Sequence, residues 1–341
     1  MEQKRNVNLD IIRIFSAIMV LSVHVGNHSG INMSVGAKGV QLFFILSGFL
    51  GMKSCERVRT PIEYYKKRAL RIMPAYYVAL ILLYLETIYL SFVENPNLIE
   101  VLKEHCNIRV LRYVFFLQTI IPSNDYWRWS NKGALWTMSS FFVFYLLAPF
   151  VYKIFNSFWE SFLTLTVLLI VRKYIVSVVY SLVLSWGYED CADIFAEQFP
   201  LSEIYCFMFG VVLYWAIIDK KEALYGMLLL ALLIVSNLNC YKFEIGFTIM
   251  LMLAVCFEPI IKNERAVKII QHISELSFTL YLIHPMVLYL EPHLLGQRTL
   301  GATYIYFNAL YMYLLSFVAT FIIYKLFIKP LEKLIAKWVE V

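Results

Sequence analysis

The chain has 341 residues, of which 60% are hydrophobic and only 16% charged, with a mean hydropathy of +0.67. Soluble domains run nearer about 45–50% apolar and about 25% charged, so composition excludes a soluble globular enzyme and points to a polytopic membrane protein. The net charge of +6 does not imply a nucleic-acid partner, because excess Lys and Arg in such a chain normally sets topology.

Met1 to Val7 is polar and basic, as expected of a cytoplasmic start. Helix 1 is expected over about Asn8–Val25 and reads as a retained membrane anchor. It is too long for a signal-peptide core and lacks a small-residue cleavage site. A Gly/Asn/Ser-rich outer loop follows to Lys38. Helix 2, about Gly39–Met52, contains Ser47 and three glycines and can pack closely on its neighbours. Lys53–Arg71 carries seven cations, and an amphipathic inner-surface helix is expected over about 60–73. Thr60 with Glu63 forms a capping box, and Pro61 suits the first helical position. Pro74 then opens helix 3, to about Val93.

The interval 94–133 is expected to be an outer loop. Its apolar piece Tyr113–Ile121 is too short to span and fits a re-entrant or interfacial segment. Trp127 and Trp129 suit the headgroup level. Further spans are expected at about Ala134–Tyr152, Phe158–Trp186 (interrupted by Arg172 and Lys173), Leu201–Ile218, Ala223–Leu238, Glu244–Phe257, Ile273–Leu290 and Thr303–Phe327. Gly187–Pro200 is acidic and expected outside. The tail, about 328–341, reads as an inner-surface amphipathic helix.

The fold class is therefore an all-α polytopic membrane bundle of about ten transmembrane helices, a single membrane-embedded domain over 1–341 with both termini cytoplasmic. Inner segments hold 19 Lys and Arg and outer segments 8, with Arg13, Arg172 and Lys173 inside spans, which accounts for all 30. That asymmetry obeys the positive-inside rule. Six cysteines show no metal spacing, and no metal is expected. A Cys106–Cys191 bridge between outer loops is conceivable but disfavoured.

Phosphate-loop, dinucleotide, HExxH and GxSxG motifs are absent from the sequence. What remains is Arg and His in a membrane helix. Arg13 and His24 are eleven residues apart, so they share one side of helix 1 with a rise of roughly 16 Å between them. Ionisable groups in a span usually face protein or a wet cavity. The plainer alternative is a snorkelling arginine and an interfacial histidine. His24 near the outer end can act as a general base toward a hydroxyl. His28 is one turn on and reads as a loop residue. Arg68 and Arg71, three apart at the inner surface, can grip phosphates, or simply anchor the loop as positive-inside residues.

Several segments together resemble the acyltransferase-3 family of integral membrane O-acyltransferases, along nearly the whole chain. Arg13 and His24 match its arginine-ten-residues-histidine motif. GVQLFFILSGFL is similar to its second-helix signature, and YYKKRALRIMPAYY to its Arg-x-x-Arg-Ile-x-Pro segment, giving Arg68, Arg71 and Pro74. LWTMSSFFVFYLLAP and SFTLYLIHP resemble its fourth-helix and late His-Pro motifs. Where many members carry a glutamate in the fourth-helix motif, this chain has Ser140, Phe141 and Phe142, a departure that bears on the subfamily and the acceptor.

The resemblance implies a multi-pass protein of the plasma or inner membrane. It implies transfer of an acyl group, most often acetyl, from cytoplasmic acetyl-coenzyme A to a hydroxyl of a cell-surface or envelope carbohydrate. Catalysis would then fall to His24, as base or transient acyl acceptor, and Arg13, with Arg68 and Arg71 holding the coenzyme A phosphates. Ser47, Trp136, Tyr281 and Asn27 are candidate oxyanion donors. His284 is either a second functional histidine or a structural one before Pro285. A separate extracytoplasmic or glycan-assembly protein could complete transfer. A transporter or flippase remains the alternative and would require inverted repeats and broken helices. A non-catalytic scaffold is the third reading.

Overall fold

The computed structural model describes residues 6–124, 134–235, 241–295 and 304–339. Trp127 and Trp129 lie outside the described residues. Fourteen α-helices and no strand occur among the described residues. They are α1 (Val7–Ser29), α2 (Gly39–Glu56), α3 (Pro61–Glu94), α4 (Leu98–His105), α5 (Leu111–Val114), α6 (Thr137–Ile154) and α7 (Phe158–Ser185). The second half holds α8 (Ala192–Gln198), α9 (Pro200–Ile218), α10 (Glu222–Val235), α11 (Lys242–Cys256), α12 (Glu264–Leu295), α13 (Ile305–Ile323) and α14 (Lys329–Val339).

Eight helical stretches among the described residues are long and apolar enough to cross a membrane. They contain α1, α2, α3, α6, α7, α9, α12 and α13. The other two expected spans fall on α10 and α11, with 14 and 15 residues. At 1.5 Å per residue these are about 21–23 Å long, short of a ~30 Å hydrocarbon layer. The end of the expected 223–238 span runs into residues outside the described set.

The centre of the bundle is α9. Its apolar stretch is 72% buried within the protein, against 6% for α7, most of whose side chains lie on the outside of the bundle. Helix α9 meets α2 at backbone contact. A Cβ on Gly48 would strike the Phe207 carbonyl, and one on Gly210 would strike the Ile45 carbonyl. This small-residue packing is how membrane helices gain dispersion contacts when lipid is as apolar as leucine. Phe44, Phe144 and Phe207 then stack across the seam, with ring centroids 4.5 and 4.4 Å apart.

Helix α3 runs unbroken for 34 residues with Pro74 inside it. The expected separation into a surface helix over 60–73 and a span from Pro74 is thus corrected to one continuous helix. A single missing amide inside a bundle is tolerated where neighbouring protein surrounds it, and Pro74 is buried. The cap forms as expected: Thr60 accepts from the Glu63 amide at 3.2 Å, and the Glu63 carboxylate accepts from the Arg59 amide at 3.0 Å. Among the described residues between α3 and α6, no helix is long enough to span. Phe116 (φ 59°) turns the segment 113–121 into the protein, stacking on Phe142 at 5.1 Å. Gln118 donates to the Leu135 carbonyl at 2.6 Å and the Thr119 amide to Ser139 Oγ at 3.3 Å. The apolar piece therefore packs on α3 and α6, a protein-covered setting in which irregular backbone is tolerated.

Arg172 does not break α7. Its guanidinium pairs with Glu197 at 2.6 Å and Glu203 at 3.7 Å and donates to the Ser202 carbonyl at 3.1 Å. Cys106 and Cys191 are both free thiols, so the conceivable bridge is not formed.

The α2–α9 seam generates a test. Gly210→Val should abolish folding, read as loss of a monodisperse peak and of a thermal transition in detergent. Gly246→Ala, where a Cβ meets nothing within 4 Å, should keep the wild-type melt or raise it, since Ala is favoured in a helix by about 0.5–1 kcal/mol.

Candidate active site

Helix α1 packs along α12, and Asp10, His24 and His28 meet α12 along that seam. Asn6 caps α1 by accepting from the Asn8 amide at 2.9 Å. Asn8 fixes this end to the last turn of α11 and the segment after it, donating to the Ala254 carbonyl at 3.0 Å and accepting from the Ile260 amide at 3.1 Å. One turn on, Arg13 pairs with Asp10 at 3.2 Å. Asp10 is only 1% exposed, and Ser274 of α12 donates to the same carboxylate oxygen at 2.7 Å. A buried carboxylate held by a guanidinium and a hydroxyl is satisfied in charge and in hydrogen bonding. Arg13 therefore serves an internal carboxylate.

At the other end of the seam His24 meets His284, with ring centroids 5.0 Å apart and planes tilted by 54°. His24 is half-buried and His284 fully buried. His284 Nδ1 lies 3.0 Å from the Leu280 carbonyl one turn back. A carbonyl only accepts, so Nδ1 carries the proton and Nε2 is left as the basic nitrogen. Among the described residues no hydrogen bond reaches that Nε2, although it is buried. Pro285 follows directly and lies inside α12.

Asp10 faces Ser274 and His24 faces His284, so α1 and α12 run parallel. The two ends of the seam are fourteen residues apart on α1, a rise of roughly 21 Å. Helix α13 completes the wall at the histidine end. Tyr313 donates to Ser22 Oγ at 2.6 Å, and Asn308 donates to Ser29 Oγ at 3.4 Å.

The other predicted site residues divide. Tyr281, one turn before His284, has its ring centroid 6.4 Å from the His284 ring and 5.3 Å from Phe43. Its hydroxyl is bonded to Thr137 Oγ1 at 2.8 Å, and Thr137 donates to the Ala134 carbonyl at 2.8 Å. Tyr281 thus clamps α12 to the start of α6 and is engaged as a donor. Trp136 sits beside that clamp, half-buried, edge-on to Phe44 at 6.4 Å. Ser47 is half-buried on α2, and no contact joins it to the histidines among the described residues. Asn27 and His28 are exposed near the end of α1, with His28 edge-on to Tyr289 at 5.5 Å.

Arg68 and Arg71 part company. The Arg68 guanidinium donates to the Leu50 carbonyl at 2.8 Å and lies over the Tyr64 and Tyr145 rings at 5.3 and 5.1 Å. It ties the end of α2 to α3 and α6. Arg71 is exposed. Positions 140–142, where the resemblance leads one to expect glutamate, hold a buried serine, Phe141 edge-on to Phe44 at 5.1 Å, and Phe142 stacked on Phe116.

Sequence reasoning missed Asp10, Ser274 and Thr137. The signal for Asp10 was present: an acidic residue three before Arg13 on the same helix face. Ser274 and Thr137 come from distant elements, and only packing places them.

Comparison with known proteins finds two relatives over parts of the chain. The chain is 27% identical over 162 residues to Nodulation protein 10 of Rhizobium leguminosarum bv. viciae, covering 43% of this chain and 44% of that protein. It is 34% identical over 124 residues to Exopolysaccharide production protein ExoZ of Rhizobium meliloti (strain 1021), covering 36% of each. The matched stretches thus span less than half of either relative. No solved structure matches. A family model described as acyltransferase domain matches residues 6–329, from the cap of α1 to the first residue of α14. The chain belongs to that acyltransferase domain family.

Proposed function

We propose that this protein is a multi-pass enzyme of the plasma or inner membrane that moves an acyl group, acetyl in the simplest case, from acyl-coenzyme A on the cytoplasmic side to a hydroxyl of an envelope carbohydrate. The observation that carries the reading is the α1–α12 seam: a charged cluster at one end, Asp10, Arg13 and Ser274, and two adjacent histidines at the other. One relative is named for exopolysaccharide production, which supports a carbohydrate acceptor.

The excess of Lys and Arg in the segments expected inside supports a cytoplasmic Asp10 end. Arg71, exposed, and the outer edge of Arg68 receive the donor's phosphates there, a task that suits planar guanidiniums. The thioester reaches the histidine end along the seam. His24 takes the proton of the attacking hydroxyl, the new C–O bond forms as the C–S bond breaks, and the proton passes to the leaving thiolate. His284, held by Leu280 with its basic Nε2 inside the protein, lends an electron pair beside His24 that favours the protonated ring during attack. Positioned general-base catalysis of this kind contributes about 10²–10⁴-fold.

The test uses purified protein, radiolabelled acetyl-coenzyme A and glycan from cells lacking the protein. Wild type should label the glycan, and His24→Ala should lose label transfer by about 10²-fold or more. No transfer by wild type, or equal transfer by both, sinks the reading.

Arg13 calls for a second comparison, because its loss also strands a buried carboxylate. Arg13→Ala should destabilise the protein by about 3–5 kcal/mol, the usual result of breaking a buried pair. Arg13→Gln combined with Asp10→Asn, neutral at both positions, should restore most of the thermal stability. If the arginine acts on the substrate as well, the double variant stays inactive at a wild-type melt. If it returns to near wild-type rates, Arg13 is purely structural.

A further inference from the structure

A cavity of about 380 Å³ lies among α2, α7, α8, α9 and α11, beside the start of α6. It falls in the ~300–1,000 Å³ range of small-molecule sites. Its charges balance: Lys38, Arg172 and Lys173 against Glu197, Glu203 and Glu244. Arg172 already serves Glu197 and Glu203. Glu244 is 2% exposed; Tyr205 donates to its Oε1 at 3.1 Å, while its Oε2 is buried with no hydrogen-bond partner among the described residues. Gln41, on another wall, likewise has a buried Oε1 with no partner.

Two buried acceptor oxygens without donors are costly, about 1–3 kcal/mol each and more for a charged group. They define what would relieve them. An anion brings more acceptors and would sit against Glu203 and Glu244. A simple cation finds the carboxylate charge already matched by Arg172 and the two lysines. A neutral molecule carrying several hydroxyl donors meets both oxygens, and Trp136 offers an apolar ring to its C–H face. The wall also adjoins the histidine end of the seam, since Trp136 lies between Ala134 and Thr137, the two residues that hold Tyr281.

We infer that this cavity binds a sugar ring of the acceptor through its hydroxyls, with Glu244 and Gln41 as the accepting groups. The inference rests on the proposed carbohydrate acceptor and adds a location and contact residues to it. Neither residue touches the reacting atoms in this account, so both are specificity residues.

The experiment uses full-length protein in nanodiscs and oligosaccharides released by mild hydrolysis from the glycan of cells lacking the protein. Saturation-transfer NMR reads binding, and steady-state transfer from acetyl-coenzyme A reads kinetics. Glu244→Gln and Gln41→Leu should each weaken binding and raise the acceptor KM at least tenfold, with kcat and the KM for acetyl-coenzyme A within about twofold. Gln41→Leu lies outside the Arg172 pairing and guards against misfolding of the carboxylate variant; both are checked against the wild-type melt. Unchanged binding and acceptor KM in folded variants overturns the assignment, as does a loss confined to kcat. Binding that depends on Glu244 without any wild-type transfer keeps the cavity and rejects acyl transfer. Wild type that neither binds nor transfers rejects both.

Discussion

A charge in the hydrocarbon layer has to be neutralised by the protein around it, and this constraint organises the molecule. Helix α1 carries Asp10, Arg13 and His24 into the membrane. None can face lipid at reasonable cost. Asp10 and Arg13 neutralise each other and recruit Ser274, which fixes α12 against α1. Once that contact is made, the parallel run of the two helices delivers His284 to His24. The histidine end of the seam is thus positioned by the charged end. The rest of the bundle supports this pair: α13 bonds to α1 through Tyr313 and Asn308, and Tyr281 joins α12 to α6.

The same constraint operates a second time around Arg172. An arginine within the most lipid-exposed span would be untenable alone. It turns inward to Glu197, Glu203 and the Ser202 carbonyl, and in doing so gathers α7, α8 and α9. The gathering leaves a polar cavity rather than a dry junction, because Glu244 and Gln41 face the same space with acceptor oxygens left over. Two polar regions therefore sit in one bundle, the α1–α12 seam and the cavity beside Arg172.

Much of this was legible in the sequence, because some signals are local. The Arg13–His24 spacing needs only the helix repeat, and one continuous α1 carries both residues. The Thr60–Glu63 cap and the glycines of α2 likewise follow from near neighbours, and Gly48 meets α9 at backbone distance. What the sequence hid depends on pairing between distant elements. Glu203 and Glu244 are 41 positions apart and converge only through α9 and α11. The acidic stretch before Pro200 suggested an outer segment, yet Glu203 just beyond it is buried as the partner of Arg172, two helices earlier on α7. Pro74 suggested a helix start because proline usually breaks a helix in water, whereas the surrounding protein carries α3 through it. Arg68 and Arg71 looked equivalent by spacing. Packing separates them, one stacked between tyrosines and one at the surface.

The central claim is that one helix seam links a donor on the cytoplasmic face to an acceptor on the other. The most direct measurement confines the two substrates to opposite sides. Inside-out membrane vesicles containing the protein are loaded with the unacetylated glycan, and labelled acetyl-coenzyme A is added only outside. The account predicts label on the enclosed glycan, and none when the vesicles carry the His24→Ala variant. Label appearing only when glycan and donor share a compartment would contradict it.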